Sequence, residues 1–148
     1  MPEVAIYSFS IKYTTPPQDL RFCFLFDCRG VPNPGRISEL RDKTGLDDEV
    51  ADYLRRDAIA MRFQAMTIEL VESMVDIYRQ ERYGSLVIGY TCTGGQHRSV
   101  YFAEQMYQRF LDIEGFVPSV RHLDLHSRYG ARAEQQISPG NQENIRQA

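Results

Sequence analysis

Residues 92 to 99 read Cys-Thr-Gly-Gly-Gln-His-Arg-Ser. An apolar run, Ser85-Leu-Val-Ile-Gly-Tyr90, leads in, and a helical pattern, Val100-Tyr-Phe-Ala-Glu-Gln-Met-Tyr107, leads out. A loop between a buried strand and a helix presents unpaired backbone N–H groups and the positive end of the helix dipole. Glycines let an anion come close to that backbone. Arg98 adds a bidentate, charge-assisted grip, and Thr93 and Ser99 supply hydroxyls. These parts suit a phosphate. Thr93, Gly94, Gly95, Gln96, His97, Arg98 and Ser99 are therefore the candidate anion-binding residues. The bland alternative is a tight strand-to-helix turn with Arg98 in solvent. No G-K-[ST] follows the glycines, so the loop is not a Walker-type triphosphate site.

The spacing Cys92, Gly95, Arg98, Ser99 also fits C-x-x-G-x-x-R-S and resembles the cysteine-phosphatase signature. That resemblance implies Cys92 as a nucleophile with a depressed pKa, Arg98 holding the phosphoryl group, and Asp27 as the acid for the leaving group. Thr91 stands where that signature usually has His. The sequence leaves open whether Cys92 attacks a phosphate or only lines its cradle; we take lining as the expectation.

Around this loop, the chain reads as alternating strands and helices. Residues 4–13 alternate with strand period, placing Val4, Ile6, Ser8 and Ser10 on one face. Residues 21–27 form a short apolar run expected to be a buried strand, with Cys23 a small core residue. A loop with Gly30, Pro32, Pro34 and Gly35 follows. A helix is expected from Asp47 or Asp48. A single long helix is expected over residues 59–84, with Phe63, Met66, Leu70, Met74 and Ile77 at helical spacing and Gly84 as its stop. A strand over 85–91, a helix from Gln96 or His97 to about Ile113 and a last strand over 117–126 complete the order β-β-α-α-β-α-β.

That order implies one three-layer-like α/β domain over residues 1–128, with a mainly parallel sheet of about four strands covered by helices. Residues 129–148 lack periodicity and are expected to be a flexible tail. Ligands of such sheets bind beyond the carboxyl ends of the strands. The loops at 27–36 and 92–98 are therefore expected to be neighbours.

Asp27 ends its strand and is read either as an acceptor for a sugar hydroxyl or amine, or as the cap of the next turn. Arg29 either completes the anion site or makes a surface salt bridge. Asn33, held between two prolines, is a candidate ligand contact that turns also favour. His122, Asp124 and His126 alternate and could be imagined with His97 or Cys92 as a metal site, but the spacing is not a usual zinc pattern. No metal and no cofactor are expected.

The 148 residues fit one domain with a sizeable core, and 43% are hydrophobic. Net charge is −3, with 17 basic and 20 acidic residues. That balance argues against a general, charge-driven nucleic-acid binder. Three cysteines give no regular disulfide framework, no signal peptide is visible, and no apolar run approaches a membrane span. A cytoplasmic home is the expectation. No sequence feature supports a homo-oligomer.

One further resemblance covers about residues 4–126. Phe26-Asp-Cys-Arg-Gly-Val-Pro-Asn-Pro34, then Thr44-Gly-Leu-Asp47, then Cys92-Thr-Gly-Gly-Gln-His-Arg-Ser99, then Val120-Arg-His-Leu-Asp-Leu-His126 resemble the C-terminal domain of the RapZ family. Its motifs are close to F-D-V-R-F-L-P-N-P, T-G-L-D and C-T-G-G-K-H-R-S. The chain departs from them at Arg29-Gly30-Val31, where the family has bulkier apolar residues, and at Gly35, where a His is common. The resemblance implies a phosphofructokinase-subdomain-like fold and a non-catalytic sensor or RNase-adaptor domain. It implies binding of an amino-sugar phosphate such as glucosamine-6-phosphate, with RNA or a regulatory protein as a further partner.

Overall fold

The computed structural model of the chain describes residues 1–80 and 84–125. The expected tail and His126 lie outside them. Four strands, β1 (Glu3–Ser10), β2 (Phe24–Asp27), β3 (Leu86–Cys92) and β4 (Val117–His122), form one sheet in the order β2-β3-β1-β4. All three pairings are parallel, with Ile6 opposite Ile88 and Val120, and Phe26 opposite Tyr90. Four helices accompany them: α1 (Asp48–Arg55), α2 (Ala58–Glu72), α3 (Val75–Arg79) and α4 (Arg98–Leu111).

Alternation decides which side of the sheet is dry. Val4, Ile6, Leu86, Ile88, Tyr90 and Val120 point one way and are buried beneath the helices, α4 lying on β1, β3 and β4. Tyr7 and Phe9 point the other way, where the Phe22 ring from the segment after β1 stacks on Phe9 at 5.6 Å and meets Tyr7 edge-on at 6.1 Å. The sheet thus lies between a helical layer and a loop layer. Phe102 of α4 meets Phe63 of α2 at 4.9 Å and stacks on Tyr90 of the sheet at 6.3 Å, so one ring ties both helices to the sheet.

Four expectations change, the first being that β1 stops at Ser10 although strand alternation was expected to run to residue 13. The single long helix is two, because α2 ends at Glu72 and the Ser73 hydroxyl turns back onto the Leu70 carbonyl at 2.6 Å. A hydroxyl bonding the preceding turn competes with helix continuation. The α2 face that is buried carries Ala60, Thr67 and Val71, with Phe63 packed beside it, whereas Met66, Leu70, Met74 and Ile77 are exposed. The strand expected over 21–27 pairs only from Phe24, at the sheet edge, so Leu25 and Cys23 are exposed. The last strand ends at His122, and residues 123–125 turn away.

Truncating a buried aromatic leaves a cavity the surroundings fill only in part. Phe102→Ala should lower unfolding free energy by about 3–5 kcal/mol, against about 0.5 kcal/mol or less for Leu111→Ala on the exposed side of the same helix. Urea unfolding of both variants checks this; equal losses would misplace the buried face of α4.

Candidate functional site

Strand alternation and the parallel sheet bring the carboxyl ends of β1, β2 and β3 together. A cavity of about 270 Å³ opens there, lined by Tyr13 after β1, Asn33 and Gly35 after β2, Arg41, and Cys92, Thr93, Gly94, Gln96, His97 and Arg98 after β3. The 27–36 and 92–98 loops therefore share one cleft through Asn33 and Gly35. Asp27 and Arg29 do not line it. Asp27 caps the 3-10 turn Cys28–Gly30 by accepting from the Arg29 N–H at 3.0 Å, and its carboxylate takes the Arg29 guanidinium at 2.7 Å. The Arg29 side chain is the main cause of an Asp27 pKa below the usual carboxylate value.

Arg98 does not reach into solvent. It is 5% exposed, and its Nη1 donates to the backbone carbonyls of Val31 (2.8 Å) and Arg29 (3.0 Å), and more weakly to Cys28 (3.5 Å). Its Nε is buried without a hydrogen-bond partner among the described residues. Those residues also place no carboxylate within ion-pairing distance of Arg98. This guanidinium, bonded to carbonyl dipoles and with one N–H unpartnered among the described residues, brings positive charge to the cavity wall.

The loop is held from below and from the side. Gly95 has φ +65°, and a Cβ there would lie 2.6 Å from Asp124 Oδ2 and 2.7 Å from the Ser10 nitrogen. Asp124 is buried and accepts from the Ser10 N–H (2.7 Å) and the Thr14 hydroxyl (2.5 Å), while the Ser10 hydroxyl donates to the Thr93 carbonyl (2.6 Å). Gly45 donates its N–H to the Gln96 carbonyl at 2.9 Å, and a Cβ on it would lie 2.4 Å from the His97 carbonyl oxygen. Gln96 reciprocates through its side-chain amide, which donates to the carbonyls of Arg41 (2.9 Å) and Lys43 (2.7 Å). Ser99 is fully buried. Cys92 is 2% exposed; its thiol donates to the Ser99 hydroxyl at 3.0 Å and accepts the Ser99 N–H at 3.4 Å.

Tyr13, Gly35 and Arg41 were not singled out as site residues from the sequence, nor were the supports Ser10, Thr14 and Gly45, and Asp124 was weighed only as a metal candidate. Gly45 stands within the T-G-L-D motif and Asp124 within the final strand motif, but only the folded backbone shows what they meet. His122 and Asp124 serve different networks. His122 bonds the Ser8 hydroxyl (2.6 Å) and the Glu104 carboxylate (2.7 Å) and shares no site with His97. Among the described residues no three His, Cys, Asp or Glu side chains gather as a metal site.

His97 contacts the Leu40 carbonyl through Nε2 at 2.9 Å. A carbonyl only accepts, so the neutral ring carries its proton on Nε2 and sets Nδ1 beside Gly35. Burial, more than the nearby Arg98 charge, pushes the His97 pKa below 6.5. The unfolded chain therefore takes up a proton first, so His97 contributes stability that is complete above pH 6.5 and is lost as pH falls towards the folded pKa. Each pH unit in that window costs at most about 1.4 kcal/mol. Asp27, with its lowered pKa, acts only below 3.8. Urea unfolding from about pH 8 to about pH 5 should show the stability gap between wild type and His97→Gln closing as pH falls; a constant gap would contradict a buried neutral ring.

The chain is similar to several curated bacterial proteins. One, named a nucleotide-binding protein, from Fervidobacterium nodosum, is 38% identical over 122 residues, 82% of this chain and 42% of that protein. A nucleotide-binding protein of Geobacillus kaustophilus is 39% identical over 126 residues, 84% of this chain and 40% of the relative. Another, from Desulfitobacterium hafniense, is 40% identical over 121 residues, 82% and 39% of the two. The chain spans about two fifths of the length of these relatives. The family model described as RapZ C-terminal domain matches residues 2–126. With motifs, sheet and loop cluster all inside that match, the chain belongs to the RapZ C-terminal domain family.

Proposed function

We propose that this chain is a non-catalytic sensor or adaptor domain that binds a phosphorylated small molecule, an amino-sugar phosphate such as glucosamine-6-phosphate, in the cavity at the start of α4. The observation that carries this reading is the buried Arg98 guanidinium, which has carbonyl but no carboxylate partners among the described residues. An anion arriving at the cavity completes that charge balance and meets the N-terminal N–H groups of α4. The Thr93 hydroxyl and Arg41 add polar groups around the rim, and Tyr13, Asn33 and Gly35 leave room for a small ring beside the phosphate. The ring requirement is modest, since a cavity of about 270 Å³ suits a metabolite and not a polymer. The relatives' name, nucleotide-binding protein, describes whole proteins of which this chain matches two fifths. A nucleotide is nonetheless a phosphorylated ligand and belongs in the same test.

Calorimetric titration of glucosamine-6-phosphate, glucosamine, a nucleoside monophosphate and sulfate separates the contributions. Charge-assisted contacts are worth about 1.5–3 kcal/mol, so the phosphorylated sugar should bind about 10- to 150-fold more tightly than glucosamine. Arg98→Met should remove that preference. Because Arg98 also holds the 28–31 loop, Arg41→Ala, at an exposed position on the cavity rim, serves as the second variant and should weaken phosphate binding with the fold intact. Equal affinities for the two sugars would sink the proposal.

A cysteine-phosphatase uses the same kind of cradle but needs three groups assembled: a nucleophile, a guanidinium on the phosphoryl oxygens and an acid at the leaving group. Here Cys92 lines the cavity and is bonded to Ser99, and Asp27, the acid the reaction would need, pairs with Arg29 away from the cavity. Under reducing conditions we expect no Cys92-dependent turnover of an aryl phosphate or of glucosamine-6-phosphate, and a Cys92→Ser variant that still binds. Turnover abolished by Cys92→Ser would make this chain an enzyme.

A further inference from the structure

Ile59, Met66 and Leu70 on α2 are 58%, 58% and 47% exposed. At 100° per residue they form one narrow stripe, pointing away from the buried Ala60, Thr67 and Val71. Apolar stripes at spacings of seven and four are the seam that one helix offers to another. A monomer seldom leaves such a seam open.

Two charges decide what the seam fits. Arg62 and Glu69 are both exposed and lie on the same flank of the stripe, seven residues apart. Two helical turns put them about 10 Å from one another, too far to pair within the chain. Among the described residues neither has an ionic partner, although their neighbours do: Glu72 pairs with Arg109, Asp76 with Arg79 and Asp52 with Arg55. In an antiparallel helix pair related by a two-fold axis, equivalent flanks face each other. In a parallel pair, opposite flanks do. An antiparallel copy centred between Ala65 and Met66 therefore sets Arg62 against the partner's Glu69 and Glu69 against the partner's Arg62. The same register sets Met66 against its partner's seam centre and Ile59 near the partner's Leu70.

We infer that α2 is a self-association surface that pairs antiparallel with α2 of a second copy of this chain. The occupant is a second copy because the flank charges are self-complementary only under that two-fold. The seam of one helix of 15 residues is smaller than a standard stable interface, so the dimer is weak and concentration-dependent. The inference does not rest on the ligand site, whose lining includes no residue of α2.

Sedimentation velocity of the whole chain from about 5 to about 500 µM should show a monomer–dimer equilibrium. Arg62→Glu and Glu69→Arg should each weaken the dimer about tenfold, since each replaces two attractive pairs by two repulsive ones. The double variant Arg62→Glu/Glu69→Arg should restore wild-type association at low salt, and Leu70→Glu should leave monomer. All three substituted positions are exposed, so far-UV circular dichroism should stay unchanged. A wild type that is monomeric throughout, as expected if another protein covers this face, would overturn the inference. So would association that ignores these substitutions, or single defects the double variant does not repair.

Discussion

One buried guanidinium organises the loop cluster of this domain. Arg98 begins α4 but serves the segment after β2, holding the carbonyls of Arg29 and Val31 at hydrogen-bond distance. Those carbonyls follow an edge strand and have no ladder to join, so without Arg98 they would be buried acceptors short of a donor. The bond thus fixes where Asn33 and Gly35 stand relative to Thr93 and Gly94. Stability of the loop and charge in the cavity come from the same atoms, so the site is rigid wherever it is positive.

Two close approaches depend on that arrangement. The segment carrying Thr44 to Asp47 lies directly on the first turn of α4 because Gly45 has no side chain, and the glycine loop lies directly on Asp124 because Gly95 has none. Each glycine accepts a neighbour where a methyl group would meet atoms at under 3 Å. Gln96 and Ser10 then tie the same loop to segments on either side. Backbone N–H groups around an anion bind well only if they are already in place, because ordering them on binding would cost affinity. The supports on all sides provide that preorganisation.

Much of this was legible in the sequence, and the parts that were not share a cause. The parallel sheet, the strand-to-helix glycine loop and its neighbourhood with the 27–36 loop follow from alternation, punctuation and the rule for carboxyl ends. The entry to α1 at Asp47 or Asp48, with acids in its first turn, and the α4 span to within two residues at each end were readable from residue type and spacing. What could not be read is which of two apolar faces a helix buries. Across α2 and α3, Phe63, Met66, Leu70, Met74 and Ile77 make the more continuous stripe in sequence, yet on α2 the core takes the small Ala60 and Thr67, because α2 must lie close to Phe102 and to the Tyr90 hydroxyl, which bonds Thr67 at 3.0 Å. Periodicity reports that a face is apolar and not what it faces. Arg98 is the same lesson in polar form: its type and place suggested an anion, and only the fold supplied the three carbonyls.

Charge elsewhere on the chain bears on what kind of anion fits. A wider cleft of about 480 Å³ between α1 and α2 is lined by Glu49, Asp52, Tyr53, Arg56 and Asp57, so carboxylates outnumber cations there. Its size does not make it the better anion site, since its charges are exposed, partly paired and, for Asp57, engaged in capping α2. Exposed charges are screened over about 8 Å at physiological salt, whereas Arg98 is screened far less. A compact phosphate ester entering the small cavity meets the buried positive charge and little of the acidic surface. A long polyanion would have to lie across that surface, on a chain of net charge −3, and would gain from few cations. The electrostatics therefore select by size as well as by sign, as the proposed small phosphorylated ligand requires.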